Sequence, residues 1–244
     1  MTGLRGLLVG LCGLALAGCA TAPASPEALA VNDPYEQTNR DTLKLNAKID
    51  KYFVIPTVGL YFLVVPEGGR RGVHNFLGNL SLPTIFVNDM LQGELSRAGK
   101  SMWRLVINST VGIAGFWDPA SKIGIRGHGE DFGQTLAAWG VGEGPFLMLP
   151  LLGPSNPRDV TGLAMDTFVL DPTNYVHFKQ HIYWAGGRQY LNFLDLRSQT
   201  FETLQGIERS SVDYYAGLRN LYRQNRAKEI RNGEPAGAAD LPDF

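Results

Sequence analysis

Apolar residues in this chain come in short, separated bursts. Arg5 precedes an apolar run over 7–17, and Leu16-Ala17-Gly18-Cys19 closes it. A basic residue, a short apolar stretch and small residues before a cysteine make a secretory signal with a lipobox. The run is too short to cross a bilayer, which needs about 20 residues. Residues 1–18 are therefore expected to be cleaved, leaving Cys19 as the acylated residue. Thr21 to Asn32 is small and polar, so 19–32 reads as a tether. A single folded domain is expected over 33–233, with a loose tail over 234–244.

The fold is expected to start at Asp33-Pro34-Tyr35-Glu36, where a cap carboxylate, a proline at the first helical position and an acid at the third coincide. Tyr35, Thr38, Thr42, Leu45, Ile49 and Tyr52 then recur in steps of three and four, predicting a helix of about five turns. Residues 52–66 follow without a charge, carrying Phe53, Val54, Ile55, Val58, Leu60, Tyr61, Phe62, Leu63, Val64 and Val65 and interrupted by Pro56 and Gly59. That segment cannot span a bilayer. It is either buried core or a short element in the lipid interface, where aromatics are favoured.

Pro66-Glu67-Gly68-Gly69 predicts a turn, and Val73, Phe76, Leu77 and Leu80 predict a helix over 70–80. Pro83 is expected to restart a helix that Gly93 ends. Leu95, Ala98, Met102, Leu105, Ser109 and Gly112 carry the next one, broken by Asp118-Pro119. Asn156-Pro157-Arg158-Asp159 repeats the cap pattern and opens a helix to about Val169. A pair of long helices fills 187–232, ended by Gly233 and Pro235. The last is basic, with Arg219, Arg223, Arg226, Lys228 and Arg231, and reads as a solvated face.

Residues 144–157 again lack a charge, and Pro145, Pro150 and Pro154 forbid a regular helix. An extended, hairpin-like segment over 140–154 is the natural shape. Burying each large apolar side chain is worth about 1.5–3 kcal/mol. The segment is therefore either core or the wall of something that holds an apolar ligand.

Composition narrows the chemistry. The chain is 44% hydrophobic and 18% charged, below the roughly 25% charge of an average soluble domain. Its formal charge is −1, so no basic excess exists to hold a nucleic acid. Cys12 lies in the signal and Cys19 in the lipobox, which leaves none for a disulfide or a metal. His177 and His181 have the spacing of a zinc helix, but no third ligand stands in a recognisable pattern, and Phe178, Tyr183 and Trp184 beside them suit a packed pair. Gly99-Lys100-Ser101 fails as a phosphate loop because Glu94 stands where its first glycine belongs. Gly140-x-Gly142-x-Gly144 fails as a dinucleotide fingerprint at Pro145. Glu130-Asp131 reads as a solvated acidic pair. No metal, cofactor or catalytic residue is expected.

Several runs together resemble the MlaA/VacJ lipoprotein family. They are Asp33-Pro34-Tyr35-Glu36 with Asn39-Arg40, Asn75-Phe76-x-Gly78-Asn79-Leu80 with Pro83, and Leu91-Gln92-Gly93. Asn108-Ser109-Thr110, Gly115-Phe116-x-Asp118, Asp131-Phe132-Gly133-Gln134-Thr135-Leu136, Gly140-Val141-Gly142-x-Gly144-Pro145, Leu149-Pro150 and Arg158-Asp159 follow in order. The resemblance covers about 33–230. It implies a mainly α, single-domain helical ring, donut-like, with short apolar interfacial helices and a small hairpin.

It also implies an outer-membrane lipoprotein on the periplasmic-leaflet side, a location that Ala20 after the cysteine suits. Such a protein removes mislocalised glycerophospholipids through an amphipathic channel, binds a trimeric porin and passes lipid to a soluble periplasmic carrier. Val54, Ile55, Val58, Leu60, Tyr61, Phe62, Leu63, Val64 and Val65 would be membrane-embedded. Gly140, Gly142, Gly144, Pro145, Phe146, Leu147, Met148, Leu149 and Pro150 would form a hairpin along the lipid path. The alternatives are a porin-associated adaptor without a channel and an envelope lipid hydrolase. The longer acidic tail of some relatives is reduced here to Asp240 and Asp243.

Overall fold

Helix α1 (Pro26–Ala30) begins where the Ser25 hydroxyl accepts from the Ala28 N–H at 3.1 Å and proline occupies the first turn. It lies inside the stretch expected to be a tether, and Ala28 is buried. Residues 25–32 are thus part of the described fold ahead of Asp33. The computed structural model describes residues 25–175 and 181–234. The signal, Cys19, the tail from Pro235 and the His177 half of the histidine pair lie outside the described residues.

Asp33 does not cap the next helix. Helix α2 (Glu36–Ile49) has Tyr35 at its cap position without a side-chain bond. The Asp33 carboxylate is fully buried instead, accepting from Asn39 Nδ2 at 2.8 Å, from Arg219 at 2.8 Å and from the Tyr215 hydroxyl. A buried charge needs several charge-assisted bonds, and one exposed helix end cannot supply them.

From α2 the chain stays helical through a π-turn (Asp50–Val54) into α3 (Ile55–Val64). There the ladder widens so that the Ile55 N–H bonds Asp50 O. A widened turn accommodates Pro56, which has no N–H to give and would clash with a regular ladder. Helix α3 ends at Val65, which is extended with φ −106° and ψ 109°, as the residue before Pro66 must be. The predicted turn is confined to that pair, because Glu67 already opens α4 (Glu67–Leu91). Pro83 does not restart a helix. It sits inside α4, which buries Leu77, Asn79 and Leu82 and packs along α5 (Leu95–Thr110), with Asn79 bonded to Ser109.

After α5, Ile113, Ala114 and Gly115 take φ of 51°, 54° and 96°. A Cβ on Gly115 would stand 2.4 Å from Asn79 Cβ, whereas one on Gly93, at φ +79°, would meet nothing. Gly115→Ala is therefore expected to cost about 2 kcal/mol or more, combining left-handed strain with overpacking. Gly93→Ala should show about 1 kcal/mol of strain alone. Urea melts of the two variants check this ordering, and equal losses would contradict it.

Short helices α6 (Pro119–Lys122) and α7 (Phe132–Ala138) follow, capped by Asp118 and Asp131. The expected hairpin is present: β1 (Leu147–Leu149) pairs antiparallel with β2 (Gly153–Ser155), Met148 opposite Pro154. Its free edge is covered by α2. Asn39 donates to Phe146 O at 3.1 Å and accepts from the Met148 N–H at 2.8 Å, and Asn46, two turns on, repeats the pattern with Leu149 O and the Leu151 N–H. Asn156 caps α8 (Pro157–Met165) as predicted, and a π-turn (Asp166–Leu170) extends it. The long pair is α9 (His181–Ser210) and α10 (Tyr214–Ile230), the latter ending before Asn232 and Gly233, both at positive φ.

Contacts run in a closed circuit: α3 touches α9, α9 touches α4, α4 touches α7, α7 touches α10, α10 touches β2, and β1 returns through α2 to α3. Burial in this ring is inverted. The interior holds Asp33, Asp89, Asp171, Arg158, Arg188, Arg219 and Arg226, while exposed large apolar side chains outnumber buried ones. Arg219 and Arg226 thus correct the solvated-face reading of α10, because both are buried, Arg219 pairing with the fully buried Asp33 and Arg226 with the half-buried Asp131 and Asp159. Buried charges and a greasy exterior depart from the ordinary rule for a protein surrounded by water. Among the described residues no single helix is long and apolar enough to cross a membrane, and the pair 36–64 and 67–91 is bent by 113°.

Candidate functional site

One face of α4 carries polar and small residues together with two aliphatic ones. His74, Asn75, Gly78, Ser81, Leu82 and Ile85 recur at three- and four-residue spacing, so they look the same way. Across from them stand Arg104 and Asn108 of α5, Asp118 and Ser121 of α6 and its cap, and His128. Together they enclose a partly open cavity of about 420 Å³, within the range of about 300–1,000 Å³ for small-molecule sites.

Its walls are held by hydrogen bonds among themselves. Asn79 donates to Ser109 Oγ at 3.0 Å, and Asn75 donates to Phe116 O at 3.3 Å. Asn108 donates to Asp118 at 3.0 Å and accepts from the Ala120 N–H at 3.1 Å. Arg104 donates to Asp118 at 2.9 Å, to Ser121 Oγ at 2.8 Å and to Ile125 O at 2.6 Å. The buried Arg104 Nε and Asn79 Oδ1 have no partner among the described residues. Such groups call for a reason, and a polar ligand would supply one.

Burial alone would raise the Asp118 carboxyl, but bonds from Ser121, Arg104 and Asn108 overcome it and hold the group at about 2. A carboxyl depressed in the folded state contributes stability above its unfolded pKa and loses it as pH falls through the folded value. Segment 111–125 is therefore expected to loosen between about pH 4 and pH 2. Amide hydrogen exchange of that segment reads this loosening, and Asp118→Asn should remove its pH dependence.

The cavity floor meets a second polar cluster. His128 Nε2 lies 2.9 Å from Asp89 Oδ1, Ser101 Oγ donates to Asp89 at 2.8 Å, and Gln92 donates to Glu130 at 2.9 Å. Asp89, His128 and Glu130 bring ligand-type atoms within 4.8 Å of one another. Arg97 lies among them, bonded to Glu130 and 3.7 Å from Asp89, and supplies the positive charge. Glu130 is buried rather than solvated, and that burial pushes its carboxyl up against the pull of Gln92 and Arg97.

The residues singled out from sequence fall elsewhere. Val54 at the end of the π-turn and Val58 and Tyr61 on α3 are buried, the first two packing on Leu194 of α9. Ile55, Leu60, Phe62, Leu63 and Val64 are exposed, Leu63 by 83%, and Val65 is half-buried. In the hairpin, Phe146 and Met148 share one strand face and are buried with Tyr215 against Leu43 and Tyr222. Leu147, Leu149 and Pro145 are half-buried, while Gly140, Gly142, Gly144 and Pro150 are exposed. None of these hairpin residues lines the cavity. The residues that do line it include Asn75, Asn79, Asn108 and Asp118, all inside the runs that carry the family resemblance. Asn75 and Asn79, amides at four-residue spacing on α4, were the available signal.

A family model described as MlaA lipoprotein matches residues 31–229. The chain is 32% identical over 222 residues to the intermembrane phospholipid transport system lipoprotein MlaA of Escherichia coli (strain K12), covering 89% of this chain and 85% of that one. The protein of the same description from Haemophilus influenzae is 29% identical, covering 96% and 93%. A protein of Rickettsia prowazekii is 35% identical over 208 residues, covering 84% and 81%. A solved structure from work on the structural basis for maintenance of bacterial outer membrane lipid asymmetry superposes with a TM-score of 0.71 at 29% identity. It matches 81% of this chain and 98% of its own length.

Proposed function

The chain belongs to the MlaA lipoprotein family, and on that footing we propose that it is a lipid conduit of the bacterial outer membrane. Anchored through Cys19 in the periplasmic leaflet, it takes mislocalised glycerophospholipids from the outer leaflet through an amphipathic channel. It passes them to a soluble periplasmic carrier for return to the inner membrane, working beside a trimeric porin. The observation that carries this reading is the cavity of about 420 Å³, lined by amide, hydroxyl and charged side chains together with Leu82 and Ile85, in a ring whose exterior exposes apolar side chains.

An uncompensated charge within a bilayer costs several kcal/mol. A wall of amides, hydroxyls and paired charges lowers that barrier for the headgroup, while the acyl chains stay with the apolar exterior. Arg104 and Asp118 neutralise each other, so the wall offers hydrogen bonds without a large net field and suits a zwitterionic headgroup. Gly99-Lys100-Ser101 lies inside α5 and is no phosphate loop. Transport through this component is therefore passive, and the acceptor sets its direction.

A photoreactive side chain placed at Ser81, on the cavity wall, tests the route. In cells it should cross-link to headgroup-labelled phospholipid, while the same group at the exposed Gln224 of α10 should not. Equal labelling at both positions would remove the cavity from the path.

A further inference from the structure

A second hollow, of about 160 Å³, lies between α4 and α9. Phe76 and Leu77 of α4 and Trp184, Gly187, Arg188 and Leu191 of α9 form its walls. At 100° per residue Phe76 points away from the face that His74, Gly78 and Ile85 turn to the polar cavity, so the two hollows are separate. This one is almost wholly apolar, with a size close to that of cavities of about 150 Å³ that stay dry and accept small hydrocarbons.

Arg188 gives it one polar feature. Its side chain is 93% buried, and its Nη1 donates to Asp171. Its buried Nε–H has no partner among the described residues, a costly state unless an acceptor arrives. The rim is apolar and aromatic: Tyr183 is 79% exposed, and Trp184, Tyr190 and Leu191 are exposed as well. Such side chains favour the membrane–water interface. Helix α9 also packs on α3, which exposes Leu60, Leu63 and Val64.

We propose that this slot seats part of one acyl chain of a glycerophospholipid, with an ester or phosphate oxygen of the same lipid accepting from Arg188 Nε. The occupant is a lipid because the site pairs a hydrocarbon-sized apolar slot with one unmatched donor and stands on a surface suited to hydrocarbon. The site goes beyond the conduit and does not depend on it. Clearance of surface phospholipid reads the cavity and Trp184 reads the slot, so either can fail alone.

The test uses the full acylated protein in detergent micelles and phosphatidylethanolamine with brominated chains, which quench nearby tryptophan. Trp184 emission is taken as the difference from Trp184→Phe. Quenching should saturate at one lipid per protein. Gly187→Leu should weaken it by about tenfold or more, since the added side chain replaces buried methylenes. A Cβ at Gly187 meets nothing within 4 Å, so the fold should persist. A thermal melt checks that, and Gly187→Ala gives a milder step in the same direction. Quenching that never saturates, that is unchanged in Gly187→Leu at normal stability, or that brominated decane reproduces at equal concentration would overturn the proposal.

Discussion

Arg226→Met is expected to lose about 3–5 kcal/mol of stability at neutral pH, the usual effect of removing one partner from a buried ion pair. Arg226 is 8% exposed and holds two carboxylates from different parts of the ring. Its Nη1 and Nη2 reach Asp131 at 2.6 and 2.7 Å, and its Nε and Nη2 reach Asp159 at 2.8 and 3.0 Å. Asp131 caps α7 and Asp159 lies in the first turn of α8, so one guanidinium ties α7, α8 and α10 together. A Cβ on Gly133 would stand 2.6 Å from Arg226 Nη2, which shows how closely the backbone wraps it. Met fills a similar volume but leaves Asp131 without its cation and Asp159 with Arg158 alone, whose Nε lies 3.1 Å from it.

The loss should depend on pH. Burial alone would raise the Asp131 carboxyl, but its bonds with Arg226 and the Gln134 N–H hold it below the ordinary carboxylate range. The stability this contributes is present above the unfolded pKa and is lost as pH falls through the folded one. The gap between wild type and Arg226→Met should therefore be widest near neutrality and narrow below about pH 4. Urea melts at both pH values measure it. In a domain of this size the neutral-pH loss corresponds to a Tm drop of roughly 10 °C. A loss under about 1 kcal/mol would mean that the two carboxylates are effectively solvated.

What the sequence revealed and what it hid divide along physical lines. Local signals were legible: Asn156-Pro157 starts α8, Asn232-Gly233 follows the end of α10, and three prolines bend 140–154 into a hairpin. Long-range polar contacts overrode several others. Asp33 has the chemistry of a helix cap, yet residues 182 and 186 positions further along the chain take its carboxylate inside the ring. Basic residues spaced along α10 read as a wet face, because nothing local shows that Asp131, Asp159 and Asp33 lie against them.

The candidate site was hidden for a related reason. Period arguments look for apolar stripes, whereas the important face of α4 is mostly polar and small, with Asn75, Gly78, Asn79 and Ser81 turned to the cavity. The apolar runs drew attention to 54–65 and 140–150. The first is largely exposed, and the second supplies core through Phe146 and Met148. In a ring that exposes many apolar side chains, an apolar run marks either core or outer surface, and the candidate cavity is marked by polar residues such as Asn75, Asn79 and Ser81.

Gly78 offers the most direct way to close that interior. It lies at the centre of the cavity face of α4, and a Cβ there meets nothing within 4 Å. Gly78→Phe thus places a phenyl ring in the passage with little backbone strain, and removing a helical glycine favours α4 by up to about 1 kcal/mol. A headgroup forced against a ring in place of amides and hydroxyls meets a barrier raised by several kcal/mol, and each 1.4 kcal/mol or so is tenfold in rate. In cells carrying Gly78→Phe at wild-type abundance, phospholipid should accumulate in the outer leaflet, with clearance reduced more than about tenfold. Clearance at the wild-type rate from the folded variant would show that lipid does not travel through this cavity.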